Sequence, residues 1–335
     1  MINSPYIRKP ASVQGVMLAV LTALIPAIVV YAWQIAAVVL VNLAIATIAA
    51  LAGEALVLKL RGRPLAPALS DLSAVVTAWL LALCFPPILP WWATVLGVLI
   101  AIVAVKHLYG GLGQNPFNPA MVAYCAMIVA FPALMSKWPA AGQLDFTTQL
   151  GLVLGSAREL DAITSATALD TIKTGLRTAG ATVQSIMSQG NFGLVSGRGW
   201  EWLAPAYALG GLYLLARGII TWHMPAAFLG ALAAISAAFW AADPAHYASP
   251  LFHLASGGAM LGAFFIVTDP VSGATTPRGK LIFAASIALL AYVIRAFGSF
   301  PEGVAFAVLL LNICVPLIDM NTQPRVFGHR GDKAR

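Results

Sequence analysis

Two short stretches of the chain have the same order of residues and could carry a covalently attached group. The first, DAITSAT, covers residues 161–167, and the second, DPVSGAT, covers residues 269–275. Each begins with Asp, has a hydroxyl residue three positions later, and ends in Ala-Thr. A threonine hydroxyl can form an ester with a phosphate, so Thr167 and Thr275 are the two candidate attachment sites.

The first copy stands at the predicted start of a helix. Leu169, Ile172 and Leu176 recur at helical spacing, Thr167 precedes them as an N-cap would, and Asp170 follows three residues later. A helix N-terminus offers free N–H groups and the positive end of the helix dipole, which suit a phosphate. The alternative is an ordinary capping threonine without chemistry.

A glycine- and asparagine-rich loop, HLYGGLGQNPFNPAM, covers residues 107–121. Gly110 and Gly111 let the backbone turn tightly or approach a ligand closely. Asn115 and Asn118 present amide donors and acceptors of the kind that read the polar edge of a flat ring. The alternative is a turn that joins two membrane spans. No strand is predicted before the glycines, so the loop is not a dinucleotide fingerprint.

Acidic residues are few, and three of them lie near the ends of apolar runs. We expect Glu54, Asp71 and Glu302 to lie where solvation reduces the cost of a charge in a membrane. Asp71 also fits an ordinary helix start. An ion-carrying role for one of the three is the alternative interpretation.

The three cysteines stand singly inside apolar runs, at positions 84, 125 and 314. Their spacing suits neither zinc nor an iron–sulfur cluster, so no metal site is predicted. We interpret them as small buried apolar residues.

The elements that position these residues are predicted to be membrane helices. The chain has 335 residues, 60% hydrophobic and 9% charged, whereas soluble domains have about 25% charged residues. A span needs roughly 20 mostly apolar residues, and shorter ones are tolerated where a helix is broken. No removable signal peptide is expected. Ten candidate spans are predicted: Gln14–Ala32, Gln34–Leu58, Leu72–Phe85, Trp92–Val105, Pro119–Leu134, Leu203–Ala216, Pro225–Ala242, Leu251–Val267, Leu281–Ile294 and Gly303–Ile318.

The distribution of positive charge predicts the orientation. The net charge is +7, and most of the 19 Lys and Arg residues fall in the short loops on one side. This pattern is typical of cytoplasmic loops and gives no reason to expect nucleic-acid binding. Both termini are therefore predicted to be cytoplasmic, with the long polar segment 136–201 periplasmic. Tryptophans such as Trp138 fall near the predicted outer boundary, where amphipathic rings settle.

The two halves of the chain resemble each other. SAVVTAWLLALCFPP, residues 73–87, aligns with SGGAMLGAFFIVTDP, residues 256–270. With five spans in each half, the second half must enter the membrane from the opposite side, and inverted repeats of this kind place their sites where broken helices meet. The predicted domains are a first five-helix repeat (1–135), an extracytoplasmic loop carrying the site (136–201), a second five-helix repeat (202–320) and a cytoplasmic tail (321–335).

Over nearly its whole length the chain resembles the NqrB/RnfD family, which contains membrane subunits of the Rnf electron-transport complex and of the sodium-translocating NADH:quinone reductase. In that family a flavin transferase attaches FMN, through its phosphate, to the Thr of a motif with the order of residues 161–167. The resemblance implies covalent FMN on Thr167, with Asp161, Thr164 and Ala166 completing the motif. Ala168 departs from the family, which usually has Pro there; Pro is favoured but not required at a first helical position.

The resemblance also separates the two copies. The family's transferase acts outside the cytoplasm, whereas the predicted orientation places Asp269 and its copy at the inner face. We expect that copy to form a loop at a helix break that lines a cofactor or ion path, or a simple turn. Similar asparagines contact a non-covalent riboflavin in the family, so Asn115 and Asn118, with Gly110, Gly111 and Asp269, are the expected inner-face site.

The resemblance implies an all-α fold similar to urea transporters and a place in the bacterial inner membrane. It implies a flavoprotein component of an ion-translocating ferredoxin:NAD+ oxidoreductase, incomplete as an enzyme alone, that passes electrons while Na+ or H+ moves. The implied partners are the other Rnf components (A, B, C, E and G), especially the FMN-bearing RnfG and the membrane components RnfA and RnfE, together with the flavin transferase. The alternative is a channel or transporter for a small polar solute, which would not need the motif at 161–167.

Overall fold

The structure is a computed structural model that describes residues 12–155, 164–189 and 192–324. This part of the chain is mostly helical, as the apolar runs predict, with one pair of two-residue strands, β1 (Trp138–Pro139) and β2 (Thr164–Ser165). The helices are α1 (Val13–Gln34), α2 (Val39–Leu60), α3 (Leu65–Ser70), α4 (Ser73–Cys84), α5 (Trp91–Leu99), α6 (Pro119–Ala130), α7 (Pro132–Met135), α8 (Phe146–Leu154), α9 (Ala168–Gly175), α10 (Val183–Gln189), α11 (Leu203–Ala216), α12 (His223–Ala242), α13 (Pro250–Ala255), α14 (Ala259–Leu261), α15 (Pro277–Phe297) and α16 (Val304–Thr322). Two π-helical segments, Ile100–His107 and Gly262–Ile266, continue α5 and α14, and a 3-10 turn, Trp200–Trp202, precedes α11.

Five of the described helices are long and apolar enough to cross a membrane: α1, α2, α12, α15 and α16. The shorter apolar helices include α4, α6 and the continuous stretch Trp91–His107. Because five separate helices have the length of a bilayer core, the chain is a multi-pass membrane protein.

Two helix boundaries, one inside the predicted span Leu251–Val267 and one before α4, contain a residue with positive φ. The predicted span Leu251–Val267 is divided, with α13 ending at Ala255 and α14 beginning at Ala259, and Gly257 between them has φ +61°. The start of α4 follows Leu72, whose φ of +63° is unusual for a residue with a side chain. The Asp71 carboxylate accepts hydrogen bonds from the Ser73 N–H at 2.7 Å and the Ser73 hydroxyl at 2.5 Å, which confirms Asp71 at a helix start.

The two halves of the chain pack against each other through α1 on α11 and α6 on α16. Helix α11 approaches α1 closely because Gly210 has no side chain; a Cβ there would collide with the Ala23 carbonyl. Within the halves, α2 packs on α4 and α5, and α12 packs on α15. The buried core runs through both halves.

The long segment, residues 136–201, contacts both halves through its described parts, residues 136–155, 164–189 and 192–201. Its first part is joined to the turn between α1 and α2, where the Val38 N–H donates to Gln149 Oε1 at 3.1 Å. Its second part, α9 and α10, forms a small apolar cluster with Ala248 and Phe252 at the start of α13. The long segment therefore bridges the two halves.

Candidate functional site

A large cavity lies between the long segment and the helices of both halves. Its volume is about 290 Å³, at the lower end of the range for ligand pockets. Its lining includes Tyr31, Cys84, Tyr124, Trp138, Thr167, Ser196, Trp200, Tyr207, Ser256 and Glu302. Of the two candidate attachment sites, Thr167 is therefore the one that faces this cavity.

Thr167 has the predicted capping geometry. Its backbone is extended (φ −64°, ψ 159°), and its Oγ1 accepts a hydrogen bond from the Asp170 N–H at 3.3 Å. The prediction of an N-cap is confirmed, and α9 starts at the next residue. Thr164 lies in β2, Ala166 lies between β2 and α9, and Asp161 lies outside the described residues.

Thr167 is held in place by the elements that precede and follow it in the sequence. Before it, Thr164 and Ser165 in β2 pair antiparallel with Pro139 and Trp138 in β1. After it, the Leu169 and Ile172 side chains of α9 are buried in the small apolar cluster. The threonine thus stands between a strand fixed to the first part of the long segment and a helix fixed to the second half of the chain.

A lysine that the sequence pattern did not single out fastens α9 to α15. Lys173 Nζ donates to the Phe300 carbonyl at 2.7 Å and to the Ile294 carbonyl at 3.2 Å. Burial lowers the pKa of Lys173, and the neighbouring Arg177 lowers it further. The last carbonyls of a helix attract a cation, so this contact ties the helix capped by Thr167 to the end of α15.

Aromatic rings form one wall of the large cavity. The Trp138 and Trp200 ring centroids lie 5.4 Å apart, and those of Trp200 and Tyr31 lie 5.5 Å apart, both edge to face. Tyr31 is buried, and its hydroxyl has no hydrogen-bond partner among the described residues. Trp138, expected at the membrane boundary as an anchoring ring, packs into this wall.

An ion pair beside the large cavity binds backbone groups on both sides of the break between α13 and α14. Arg295 Nη2 lies 2.8 Å from Glu302 Oε2, and the same carboxylate oxygen accepts the Gly258 N–H at 2.7 Å. Arg295 Nη1 also donates to the His253 carbonyl at 2.8 Å. The expectation that Glu302 is stabilised by solvation is wrong, because a buried guanidinium and backbone N–H groups stabilise it.

The second copy of the motif has a different environment. Thr275 does not cap a helix: its hydroxyl donates to Asp319 Oδ2 at 2.9 Å, and the next residue, Thr276, caps α15. Asp269 accepts a hydrogen bond from the Ser272 hydroxyl at 2.7 Å and another from the Val271 N–H at 3.0 Å. The copy forms a turn at the start of α15.

A small cavity, about 160 Å³, lies at the opposite face of the helices. Asn115, Asn118 and Asp269, which the sequence pattern singled out, all line this small cavity. Asn118 Nδ2 lies 3.3 Å from Asp269 Oδ2, and the Asn118 N–H donates to Asn312 Oδ1 at 3.2 Å. The two parts of the predicted inner-face site, which are far apart in sequence, are therefore in direct contact.

Gly110 and Gly111 are not among the residues that line the small cavity. Both have positive φ, 124° and 110°, and their N–H groups donate to the carbonyls of His107 and Lys106. Of the two interpretations that the sequence left open, the structure favours the turn, which ends the stretch Trp91–His107.

A buried ion pair that the sequence did not reveal borders the small cavity. Lys106 Nζ lies 2.6 Å from Glu54 Oε1 and 2.7 Å from the Ser73 hydroxyl, and His107 Nε2 lies 3.0 Å from the same Glu54 oxygen. Lys106 and Ser73 both line the cavity. The expectation that Glu54 is solvated at a span end is wrong, because it is 1% exposed.

Within the described residues, no group of three or more His, Cys, Asp or Glu side chains is arranged to hold a metal ion. The polar groups that border the large and small cavities include hydroxyls, amides, carboxylates and the Lys106 ammonium. These groups suit an organic ligand with a polar edge.

Comparison with known proteins identifies a family that matches this chain. The family model described as "NQR2, RnfD, RnfE family" matches residues 1–328. The chain is similar to proteins named as the D component of an ion-translocating oxidoreductase complex: 46% identical over 345 residues to one from Escherichia fergusonii, 46% over 344 residues to one from Aliivibrio salmonicida, and 47% over 350 residues to one from Vibrio vulnificus. Each alignment covers 98% of both chains.

Proposed function

The chain belongs to the NQR2, RnfD, RnfE family, and from this premise we propose that it is the flavin-bearing membrane component of an ion-translocating ferredoxin:NAD+ oxidoreductase. Relatives that it matches over almost their full length are named as subunits of an ion-translocating oxidoreductase complex, so the chain is a subunit of such a complex and the other subunits are its partners. The site geometry supports two flavin positions, one at each cavity.

The first proposed cofactor is FMN, held through its phosphate on Thr167. The observation that carries this proposal is that Thr167 both caps α9 and lines the large cavity. The residues fit the group: the free N–H groups at the helix start suit the phosphate, and the cavity offers aromatic walls and an unpartnered hydroxyl. Bound FMN would supply electron transfer, and the protein would position and tune it.

The second proposed cofactor is riboflavin, held without a covalent bond at the small cavity. Asn115, Asn118 and Asp269 supply amide and carboxylate groups to one wall, and Lys106 supplies a cation. These groups suit the polar edge of a flavin, which has both donors and acceptors. The contact between Asn118 and Asp269 supports one site built from both halves of the chain.

Residues that are neighbours in the chain line the two cavities, which supports electron passage between the proposed flavins. Ala120 lines the small cavity and the next residue, Met121, lines the large one. Phe265 lines the small cavity and Ile266 the large one. On α4, Leu80 lines the small cavity and Leu83, about one helical turn later, lines the large one. Single helices therefore contribute to the linings of both cavities.

The proposal includes a topology. Helices shorter than a full span, with the broken pair α13–α14, complete ten spans in two inverted five-helix repeats (1–135 and 202–320), as in urea transporters. The contacts of α1 with α11 and of α6 with α16 support such a pseudo-twofold arrangement. The long segment lies in the periplasm, both termini (including the tail 321–335) lie in the cytoplasm, and the membrane is the bacterial inner membrane.

The proposed partners follow from this placement. FMN on Thr167 would exchange electrons with the FMN-bearing RnfG at the periplasmic face, and the membrane components RnfA and RnfE would adjoin the helices. Cytoplasmic components of the complex, RnfB and RnfC being among the proposed partners, would handle ferredoxin and NAD. A flavin transferase would load Thr167, and Na+ or H+ would move as electrons pass.

The test is covalent flavin on the purified chain, co-expressed with a flavin transferase. We expect a fluorescent band in a denaturing gel that disappears in Thr167→Val and remains in Thr275→Val, the matched control from the second copy. Riboflavin should appear in the supernatant after acid precipitation of both variants. A wild-type chain without a fluorescent band would refute the FMN proposal and favour a channel or transporter for a small polar solute.

A further inference from the structure

The Tyr31 hydroxyl is a buried polar group without a partner among the described residues. Tyr31 is 1% exposed, and its hydroxyl oxygen makes no hydrogen bond to this part of the chain. A buried hydroxyl that makes no hydrogen bond is unfavourable, and native structures rarely contain one. Because Tyr31 lines the large cavity, a molecule in that cavity is positioned to supply the partner.

We propose that the flavin ring carried by Thr167 enters the large cavity and accepts a hydrogen bond from the Tyr31 hydroxyl. This inference rests on the proposed function and deepens it, because it names the position of the ring and a residue of the chain that sets its reduction potential. The flavin ring has carbonyl oxygens and unprotonated ring nitrogens along one edge, and these are suitable acceptors.

A continuous set of contacts leads from Thr167 to Tyr31. Ser165, two residues before Thr167, pairs with Trp138 across the β1–β2 ladder. The Trp138 ring packs on Trp200, and Trp200 packs on Tyr31. The threonine and the tyrosine therefore stand at opposite ends of one aromatic wall of the same cavity. A group tethered at Thr167 can lie along this wall and reach the hydroxyl.

The lining of the cavity also fits a flat apolar ring system with one polar edge. Besides the aromatic wall, the cavity is bordered by apolar side chains such as Leu83, Met121 and Leu261. Ring faces pack favourably against such surfaces, while a polar edge requires a donor such as Tyr31. The phosphate end remains at the helix start, where N–H groups are free.

The hydrogen bond has a defined electrochemical consequence. Reduction increases the electron density on the polar edge of the ring, so a hydroxyl donor stabilises the reduced form more than the oxidised form. Tyr31 therefore raises the reduction potential of the attached flavin. Since only the difference in hydrogen-bond strength between the two forms affects the potential, loss of this hydrogen bond lowers the ratio of reduced to oxidised flavin by up to about tenfold at a fixed ambient potential.

The experiment uses Tyr31→Phe in the full chain carrying covalent flavin, with Tyr292→Phe as the control. Both tyrosines are buried, but Tyr292 is not among the residues that line the large cavity. Phenylalanine keeps the ring that packs on Trp200 and removes only the hydroxyl. In a dithionite titration with mediators, we expect Tyr31→Phe to need a lower potential for half reduction and Tyr292→Phe to match the wild type.

A second measurement locates the ring independently. We expect iodide to quench the flavin fluorescence of the folded chain less than that of the denatured chain, because the side chains that line the cavity cover most of the ring. Equal quenching of the folded and denatured chains, or an unchanged potential in Tyr31→Phe, would overturn the inference while the band on Thr167 still supports the proposed function. Absence of the band itself would overturn both.

Discussion

At the scale of single residues, Thr167 and Thr275 show how neighbours decide the role of identical motifs. Thr167 caps α9 and faces the large cavity, whereas Thr275 is engaged by the Asp319 carboxylate and leaves the capping role to Thr276. The sequences of the two copies alone do not predict this difference. It comes from the elements that follow and from a partner that lies 44 residues away in the chain.

The buried pair of Lys106 and Glu54 yields a stability prediction. Lys106→Met should destabilise the folded chain by about 3–5 kcal/mol, because it leaves a buried carboxylate without its cation. The measurement is the thermal unfolding midpoint of the protein purified in detergent. Lys59→Met, at an exposed position near the end of α2, should unfold like the wild type.

The double variant Glu54→Gln/Lys106→Met separates charge from packing. Removing both charges should recover much of the lost stability, since no uncompensated charge then remains. If Lys106→Met alone unfolds at the wild-type temperature, the ion pair does not contribute to stability.

At the scale of elements, α9 is too short to be stable by itself. It has eight residues, whereas isolated helices need about 12–15 to be even marginally stable in water. Its order must come from the Thr167 cap, the buried Leu169 and Ile172, and the contact of Lys173 with the end of α15. The position of Thr167 is therefore a property of the second half of the chain as much as of its own segment.

The contact between α9 and α15 can be tested with Lys173→Met, which keeps most of the apolar stem and removes the ammonium. A hydrogen bond from a charged group contributes about 1.5–3 kcal/mol, and partial exposure places this one at the lower end. We expect faster amide hydrogen exchange across residues 168–175, measured by mass spectrometry. Arg177→Met, at an exposed position just after α9, should exchange at the wild-type rate; equal rates in both variants would show that Lys173 does not fasten the helix.

At the scale of the whole molecule, the long segment and both halves are in contact and together line the large cavity. The first part of the segment is bonded to the α1–α2 turn and the second part to α13 and α15. The large cavity exists only because all three are present, since its lining comes from each of them. Treating residues 136–201 as an independent domain would therefore divide the site.

Orientation is the prediction that belongs to this scale. In a chain with Cys84, Cys125 and Cys314 replaced by Ala, a new cysteine at Ser188 should react with a membrane-impermeant maleimide added to spheroplasts. Ala66→Cys, at an exposed position in α3 that the proposed orientation places in the cytoplasm, should react only after the membrane is permeabilised. The reverse pattern of labelling would reverse the proposed orientation.

The sequence by itself determined the features that depend on local composition and on overall resemblance. The apolar runs predicted the membrane class and most helices, Thr167 and Asp71 were recognisable at helix starts, and the resemblance pointed to the family whose model matches the chain. Such features need only neighbouring residues, because helix capping and span length act within a few turns. The grouping of Asn115, Asn118 and Asp269 came from the resemblance and not from local pattern, since Asn118 and Asp269 are 151 positions apart.

The tertiary structure alone decided which groups are paired and which are left without a partner. Lys106 meets Glu54 across 52 positions and Lys173 meets Ile294 across 121, and neither pairing leaves a pattern in the sequence. The same holds for the Tyr31 hydroxyl, unpartnered among the described residues, because a missing partner is visible only when its neighbours are in place. Burial makes these relations matter, since a charge or hydroxyl removed from water requires a partner that only the folded chain can bring to it.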